Sequence, residues 1–115
     1  MLEADVLQYP TKAITSEQRA AFFANGSLVL ESFVGNHWLK RLRHVVSESI
    51  ESARHMTENN AVYLLESGHC VDAPALRRLN NPVCHHPDFW RFVSESPMVE
   101  LAADLCGPNV KFYHS

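Results

Sequence analysis

A His-x-Asp sequence, His86-Pro87-Asp88, is the place in this chain where residue types and spacing first suggest a metal ion. An imidazole and a carboxylate two residues apart can reach one ion from a β-strand, where alternate side chains share a face. Pro87, however, fits the first position of a helix, so Asp88 is expected to favour the helix dipole and His86 to lie beside the cap. We therefore interpret this sequence as structural and predict no metal ligand in it.

Cysteine and histidine residues raise a second possibility, because structural zinc sites use both. Structural zinc ligands usually come in spaced pairs such as Cys-x-x-Cys, and two adjacent residues cannot easily both reach one tetrahedral ion. A Cys-His nucleophile would need a partner in space that a sequence cannot identify. The spacing therefore favours neither zinc nor thiol catalysis at the candidate residues, which are His69, Cys70, Cys84, His85 and His86.

Arg77 and Arg78 are the remaining candidates for binding. They lie in a segment predicted to be a strand, on which neighbours point to opposite faces, so that one of the two could face a pocket. The alternative is a surface arginine paired with an acidic residue. Both interpretations stay open at this point.

Composition limits the classes of protein to which the chain could belong. Its 115 residues, 46% hydrophobic and 20% charged, are typical of one compact domain, and a net charge of -3 argues against nucleic-acid binding. The basic run from Lys40 to His44 shares its predicted helix with Glu48 and Glu51, which indicates a solvated face. No apolar run approaches the roughly 20 residues that span a bilayer. With three cysteines, an odd number, we expect free and mostly buried thiols in a cytoplasmic protein.

The first half of the chain carries clear signals for helices. Residues 1–14 show little periodicity and predict an irregular lead-in that lies against the domain. Thr15-Ser16-Glu17-Gln18 is a capping box for a short helix that ends at Asn25-Gly26. Residues 27–30 predict a short buried strand, and Asn36 a cap for a long amphipathic helix over 37–58. The apolar face of that helix comprises Leu39, Leu42, Val45, Val46, Ile50 and Ala53.

The second half alternates strand and helix signals. Residues 62–65 and 75–79 predict two strands separated by a Ser67-Gly68 turn. Two short helices are expected to begin at Pro87 and Pro97, because proline suits the first helical position. Gly107-Pro108 should end the second helix, and residues 109–115 then predict a strand in which Phe112 and His114 share a face.

The order of these elements resembles the opening of the phytanoyl-CoA dioxygenase family. Four runs resemble that family's approach to its first barrel strand, namely residues 75–82, 86–90, 96–101 and 105–110. The resemblance covers about residues 13–115. It implies an α+β fold in which a mainly helical N-terminal region, residues 15–115, leads into the first strand of a truncated double-stranded β-helix whose barrel core is missing.

The resemblance also implies an activity for the parent enzyme. The family couples oxidative decarboxylation of 2-oxoglutarate to hydroxylation of a small or acyl substrate at Fe(II), which is held by a His-x-Asp pair and a distant His. Those ligands would lie beyond Ser115, so we expect this chain alone to bind no cofactor and to be inactive. The resemblance places Arg77, Arg78 and His114 near the 2-oxoglutarate or substrate pocket.

The alternative is a non-catalytic helical interaction domain, or a regulatory remnant of the same enzyme family. Such a domain would share the order of elements without contributing to a metal centre. We expect such a domain to self-associate through the exposed strand at residues 109–115, since an unpaired strand edge offers a template for pairing.

Overall fold

The computed structural model describes residues 2–115 and combines helices with a small two-stranded antiparallel sheet, which confirms the mixed α and β class. A 3₁₀ turn, Pro82–Cys84, precedes the last two helices. The helices are α1 (Glu3–Val6), α2 (Ser16–Asn25), α3 (Asn36–Ser52), α4 (Pro87–Glu95) and α5 (Pro97–Cys106), and the strands are β1 (Tyr63–Leu65) and β2 (Leu76–Leu79).

The chain divides into two compact units. The first consists of the residues up to Gly35 together with Phe92–Phe112, and so contains α1, α2 and α5. The second consists of Asn36–Arg91 and Tyr113–Ser115, and contains α3 and the two-stranded sheet.

In the first unit, α2 begins and ends as the sequence predicts. The Thr15 hydroxyl accepts the Gln18 amide at 3.1 Å, and the Gln18 side chain accepts the Thr15 amide at 2.9 Å. Gly26 closes the helix in the left-handed conformation, with φ of 75°. Both ends of this helix are therefore determined by residues within or next to it.

The lead-in is fixed to the first unit by two buried charged side chains. Oδ2 of Asp104 accepts the backbone amides of Ala13 at 2.7 Å and Ile14 at 3.1 Å. Arg19 is 6% exposed, and its Nη1 donates to the carbonyl of Tyr9 at 2.8 Å. Most of the segment is irregular, as expected, but residues 3–6 form the single helical turn α1, which buries Val6.

In the second unit, α3 is shorter than predicted. It ends at Ser52 instead of Glu58 and begins at Asn36 itself. The hydroxyls of Ser49 and Ser52 donate to carbonyls four residues earlier, at 2.8 Å each, a pattern that tends to bend or weaken a helix. Of the predicted apolar face, Val45 is buried within the helix and Ala53 just beyond it, whereas Val46 is 43% exposed.

The predicted pair of strands forms a hairpin with an irregular register. Tyr63 pairs with Leu79, Leu64 with Arg78, and Leu65 with Leu76. Arg77 is therefore an extra residue, and the hairpin contains a β-bulge at this point. The loop between the strands includes the predicted Ser67-Gly68 turn.

Two predicted strands are wrong. Residues 27–30 and 109–115 both lack regular structure, with Val29 84% and Tyr113 90% exposed. A strand needs a partner strand for its backbone groups, and neither segment is paired in the sheet, although the Asn81 amide donates to the Ser115 carbonyl at 3.2 Å. A run of apolar residues was therefore insufficient evidence for a strand.

The two proline-initiated helices are confirmed. Helices α4 and α5 begin at Pro87 and Pro97, and the Ser96 hydroxyl caps α5 by accepting the Met98 amide at 3.3 Å. Gly107 follows α5 with a φ of 96°, which few residues other than glycine adopt. Helix α5 thus ends at the predicted Gly-Pro sequence.

Candidate functional site

The His86-Pro87-Asp88 sequence lies at the start of α4, where backbone and ionic bonds engage both of its polar side chains. Nδ1 of His86 accepts the amide of Asp88 at 3.1 Å, so the imidazole caps the helix. The carboxylate of Asp88 meets Nη2 of Arg41 at 2.6 Å and Nη1 of Arg91 at 3.4 Å. The residues therefore have the structural positions that the sequence indicated.

The electrostatics of Asp88 do not fit an iron ligand. The hydrogen bond from Arg41 holds the pKa of Asp88 below its ordinary value, and the positive charges of Arg41 and Arg91 act in the same direction. The guanidinium of Arg41 also lies over the Trp38 ring, 5.1 Å from its centroid, which fixes its position. A carboxylate already neutralised by two guanidiniums is a poor ligand for Fe(II), and no step of catalysis is assigned to it.

The cysteine and histidine candidates are not assembled into a site. Among residues 2–115, no three His, Cys, Asp or Glu side chains are close enough together to hold a metal ion. The expectation of buried thiols is wrong, since Cys70, Cys84 and Cys106 are all free and exposed. Each cysteine lies in or beside a turn or helix end, where an apolar side chain need not be buried.

Arg77 and Arg78 are both exposed, whereas strand alternation predicted opposite faces. The cause is the bulge, because the extra residue interrupts the alternation between the half-buried Leu76 and Leu79. Neither guanidinium forms an ion pair with another residue in the range 2–115. The alternative of a surface ion pair is therefore wrong for this structure, and two unpaired cations lie next to each other on β2.

His114 is exposed in a segment that is not a strand. Its ring lies 5.0 Å from that of Tyr113, tilted by 59°. The expectation that Phe112 and His114 share a face rested on strand alternation, and it fails because the strand does not form.

Two cavities lie within the second unit. One, of about 690 Å³, is formed by the segment after α3 and the hairpin loop, and its polar lining includes His55, Glu58, Glu66, His69 and Cys70. The other, of about 270 Å³, is lined by α3 together with Tyr63, His85 and His86. Arg77, Arg78 and His114 line neither cavity.

The larger cavity has no signal in the sequence, because its two walls come from segments whose patterns predict a helix and a turn. His69 is fixed in this wall, since its Nδ1 accepts the Ala75 amide at 3.0 Å. Val71 of the same wall is held by Arg54, which donates a hydrogen bond to the Val71 carbonyl. Arg54 also forms an ion pair with Glu51, and the hydrogen bond to that carboxylate raises the pKa of Arg54. The lining of the larger cavity is acidic and rich in imidazole, since it contains Glu58, Glu66, His55 and His69.

Comparison of the chain with models of protein families, with curated proteins and with solved structures finds no match. Within residues 2–115, no helix has both the length and the apolar character needed to cross a bilayer.

Proposed function

We propose that this chain is the helical N-terminal part of an Fe(II)- and 2-oxoglutarate-dependent dioxygenase that hydroxylates a small or acyl substrate. The proposal rests on the resemblance of residues 13–115 to phytanoyl-CoA dioxygenases. It is supported by helices α2, α3, α4 and α5, which follow one another in the expected order, although the strand expected at residues 27–30 does not form. The metal ligands of such an enzyme would come from a double-stranded β-helix that follows this part.

In this proposal the chain serves as a support and does not hold the metal. The iron, when bound elsewhere in the enzyme, supplies the oxidative chemistry that couples decarboxylation of 2-oxoglutarate to hydroxylation. This chain supplies cationic and imidazole groups from Arg77, Arg78 and His114 at the approach to the pocket. Two unpaired guanidiniums suit that role, because arginine binds carboxylates in a bidentate geometry.

The test begins with the coding sequence that follows Ser115. We expect a His-x-Asp sequence within a few tens of residues and a further histidine about half a domain later. The protein extended through these residues should convert 2-oxoglutarate to succinate in the presence of Fe(II), and replacing the first histidine of that sequence by alanine should abolish the conversion. A stop codon, or an extended protein without turnover, would contradict the proposal.

The chain of 115 residues offers a second measurement. Calorimetric titration with Mn(II) plus 2-oxoglutarate should give no stoichiometric binding, because Asp88 is already engaged by Arg41 and Arg91. Tight binding of one equivalent that disappears in His86→Ala would show instead that His86 and Asp88 are ligands.

A non-catalytic interaction domain is the second candidate. The observation that favours it is that residues 109–115 form no strand, where the dioxygenase proposal expects the first barrel strand. Self-association through this segment would bury Phe112 and the exposed Tyr113. Sedimentation at rising concentration distinguishes the candidates, since a dimer that dissociates in Tyr113→Asp favours the interaction domain.

A further inference from the structure

The two edges of the hairpin sheet differ in how their backbone groups are satisfied. The amide of Asn80 donates to the carbonyl of Val62 at 2.8 Å, directly beside the Tyr63 and Leu79 pair. In an antiparallel sheet, a pair flanked in this way is the non-hydrogen-bonded pair, so its own amides and carbonyls point away from the partner strand. Tyr63 therefore presents its backbone to the outer edge of β1, and Leu79 to the outer edge of β2.

The outer edge of β1 is closed by two asparagines. Oδ1 of Asn60 accepts the Tyr63 amide at 2.8 Å, and the amide of Asn60 donates to the Tyr63 carbonyl at 3.0 Å. Oδ1 of Asn59 accepts the next outward amide, that of Leu65, at 2.8 Å. No further strand can pair here without displacing these bonds.

The outer edge of β2 is open. The outward amide and carbonyl of Leu79 make no hydrogen bond to any other residue in the range 2–115. Two residues further on, Asn81 is in the left-handed conformation, with φ of 46°, and its amide donates to the carbonyl of Ser115, so the open part of this edge ends before Asn81. An open edge beside a closed one is a specific template for the addition of one strand.

The positive charges of two side chains on β2 determine which kind of strand can pair with this edge. Arg77 and Arg78 are exposed on β2 and have no ion-pair partner within the described chain. Edge-to-edge pairing of β2 with β2 of a second copy would bring four guanidiniums together, which opposes homodimerisation through this edge. A strand that carries carboxylates would instead form two ion pairs as its backbone pairs with β2.

We propose that the outer edge of β2 is a docking site for an extended acidic peptide segment, which adds to the hairpin as a third strand. The four residues of β2, Leu76–Leu79, correspond to about 13 Å of extended peptide. Backbone bonds at Leu79 supply the pairing, and Arg77 and Arg78 supply the selectivity for acidic side chains. Both proposals give Arg77 and Arg78 a carboxylate-binding role, but this one requires no metal centre, and peptide binding is measured independently of 2-oxoglutarate turnover.

The test uses the whole chain and the fluorescein-labelled peptide Ser-Val-Glu-Val-Glu-Val-Ser, with binding followed by fluorescence anisotropy at low ionic strength. The same peptide with lysine in place of glutamate should bind about tenfold more weakly or worse, because two exposed ion pairs are lost. The double variant Arg77→Glu/Arg78→Glu should reverse this preference. The matched control, Lys40→Glu/Arg43→Glu, makes the same charge change at exposed positions of α3 and should leave the preference intact.

Backbone pairing is tested with two N-methylated forms of the acidic peptide, one methylated at the odd residues and one at the even residues. Only one of the two sets can face β2, so one form should lose binding and the other should keep it. Equal binding by both forms would show a purely electrostatic contact and overturn the proposal. Equal binding of the acidic and lysine peptides would overturn it too, as would no binding, or a dimer of the chain that dissociates in Arg77→Glu/Arg78→Glu.

Discussion

The carboxylate of Asp104 accepts the backbone amide of Ile14 at 3.1 Å, across a separation of 90 residues in the chain. The same side chain takes the amides of Lys12 and Ala13, so three consecutive backbone donors converge on one carboxylate. Asp104 is 3% exposed and lies in the last turns of α5. One acidic side chain therefore accepts the hydrogen bonds of three consecutive backbone amides in an irregular segment.

Replacing Asp104 by alanine should lower the free energy of unfolding by about 3 kcal/mol, because it leaves buried amides without acceptors. Asp104→Asn should cost less, since one oxygen acceptor remains. Urea unfolding followed by circular dichroism measures both changes. Glu100→Ala removes an exposed carboxylate from the same helix and should change stability by less than about 0.5 kcal/mol. Equal effects of Asp104→Ala and Glu100→Ala would contradict this role.

Gly26 and Gly68 form a matched pair of glycines. No atom lies within 4 Å of a Cβ built at either position, but only Gly26 has a positive φ, of 75°. Gly26→Ala should therefore destabilise the protein by about 1 kcal/mol through backbone strain alone. Gly68→Ala should be neutral or slightly stabilising, because it restricts the unfolded chain. Thermal or urea unfolding of both variants tests the difference, and a neutral Gly26→Ala would show that α2 ends by another means.

The ion pair between Arg41 and Asp88 should make the free energy of unfolding depend on pH in the acidic range. Its hydrogen bond lowers the pKa of Asp88 in the folded protein. The ion pair therefore makes its full contribution to the free energy of unfolding above the pKa of an unfolded Asp, about 3.9. This contribution is lost as the pH falls through the lower pKa of folded Asp88. The urea midpoints of the wild type and Arg41→Gln should differ at pH 7 and converge as the pH falls below the ordinary pKa of Asp and through the lower pKa of folded Asp88.

Arg43→Gln is the control for that measurement, because Arg43 is exposed on the same helix without an ion pair in the described chain. Its midpoint should stay at a constant offset from the wild type across the whole pH range. If the offset of Arg41→Gln is also constant, the ion pair with Asp88 does not stabilise the fold in solution.

All three thiols should react in the folded protein, because Cys70, Cys84 and Cys106 are exposed. Titration with Ellman's reagent is expected to release three equivalents without denaturant, and two equivalents from Cys84→Ser. A thiol that reacts only after addition of urea would show that its side chain is covered in solution.

The features that could be predicted from the sequence are those whose physical cause is local. The Thr15 capping box, the left-handed Gly26 and the prolines at the start of α4 and α5 each act within one helical turn. The sequence also predicts the two strands of the hairpin and the Ser67-Gly68 turn between them, which are local patterns of residue type, but not the register of their pairing.

The remaining features depend on partners that are distant in sequence. Residues 27–30 and 109–115 have the composition of strands but not the hydrogen-bonding neighbours that a strand requires. The bulge that exposes both Arg77 and Arg78 is a property of register, which neither strand carries alone. The role of Asp104 could not be predicted either, because an acidic residue in a helix usually faces solvent.

The anchoring of the lead-in limits where the protein can be shortened. A version that starts at Thr15, the first clear helix signal, would lose the Tyr9 carbonyl, which accepts a hydrogen bond from Arg19, and the three backbone amides that donate to Asp104. Two side chains of opposite charge would then remain buried without the groups that solvate them, and exposing them to water would require the first unit to open. Deletion of the irregular first 14 residues should therefore yield insoluble protein, although those residues include only one helical turn.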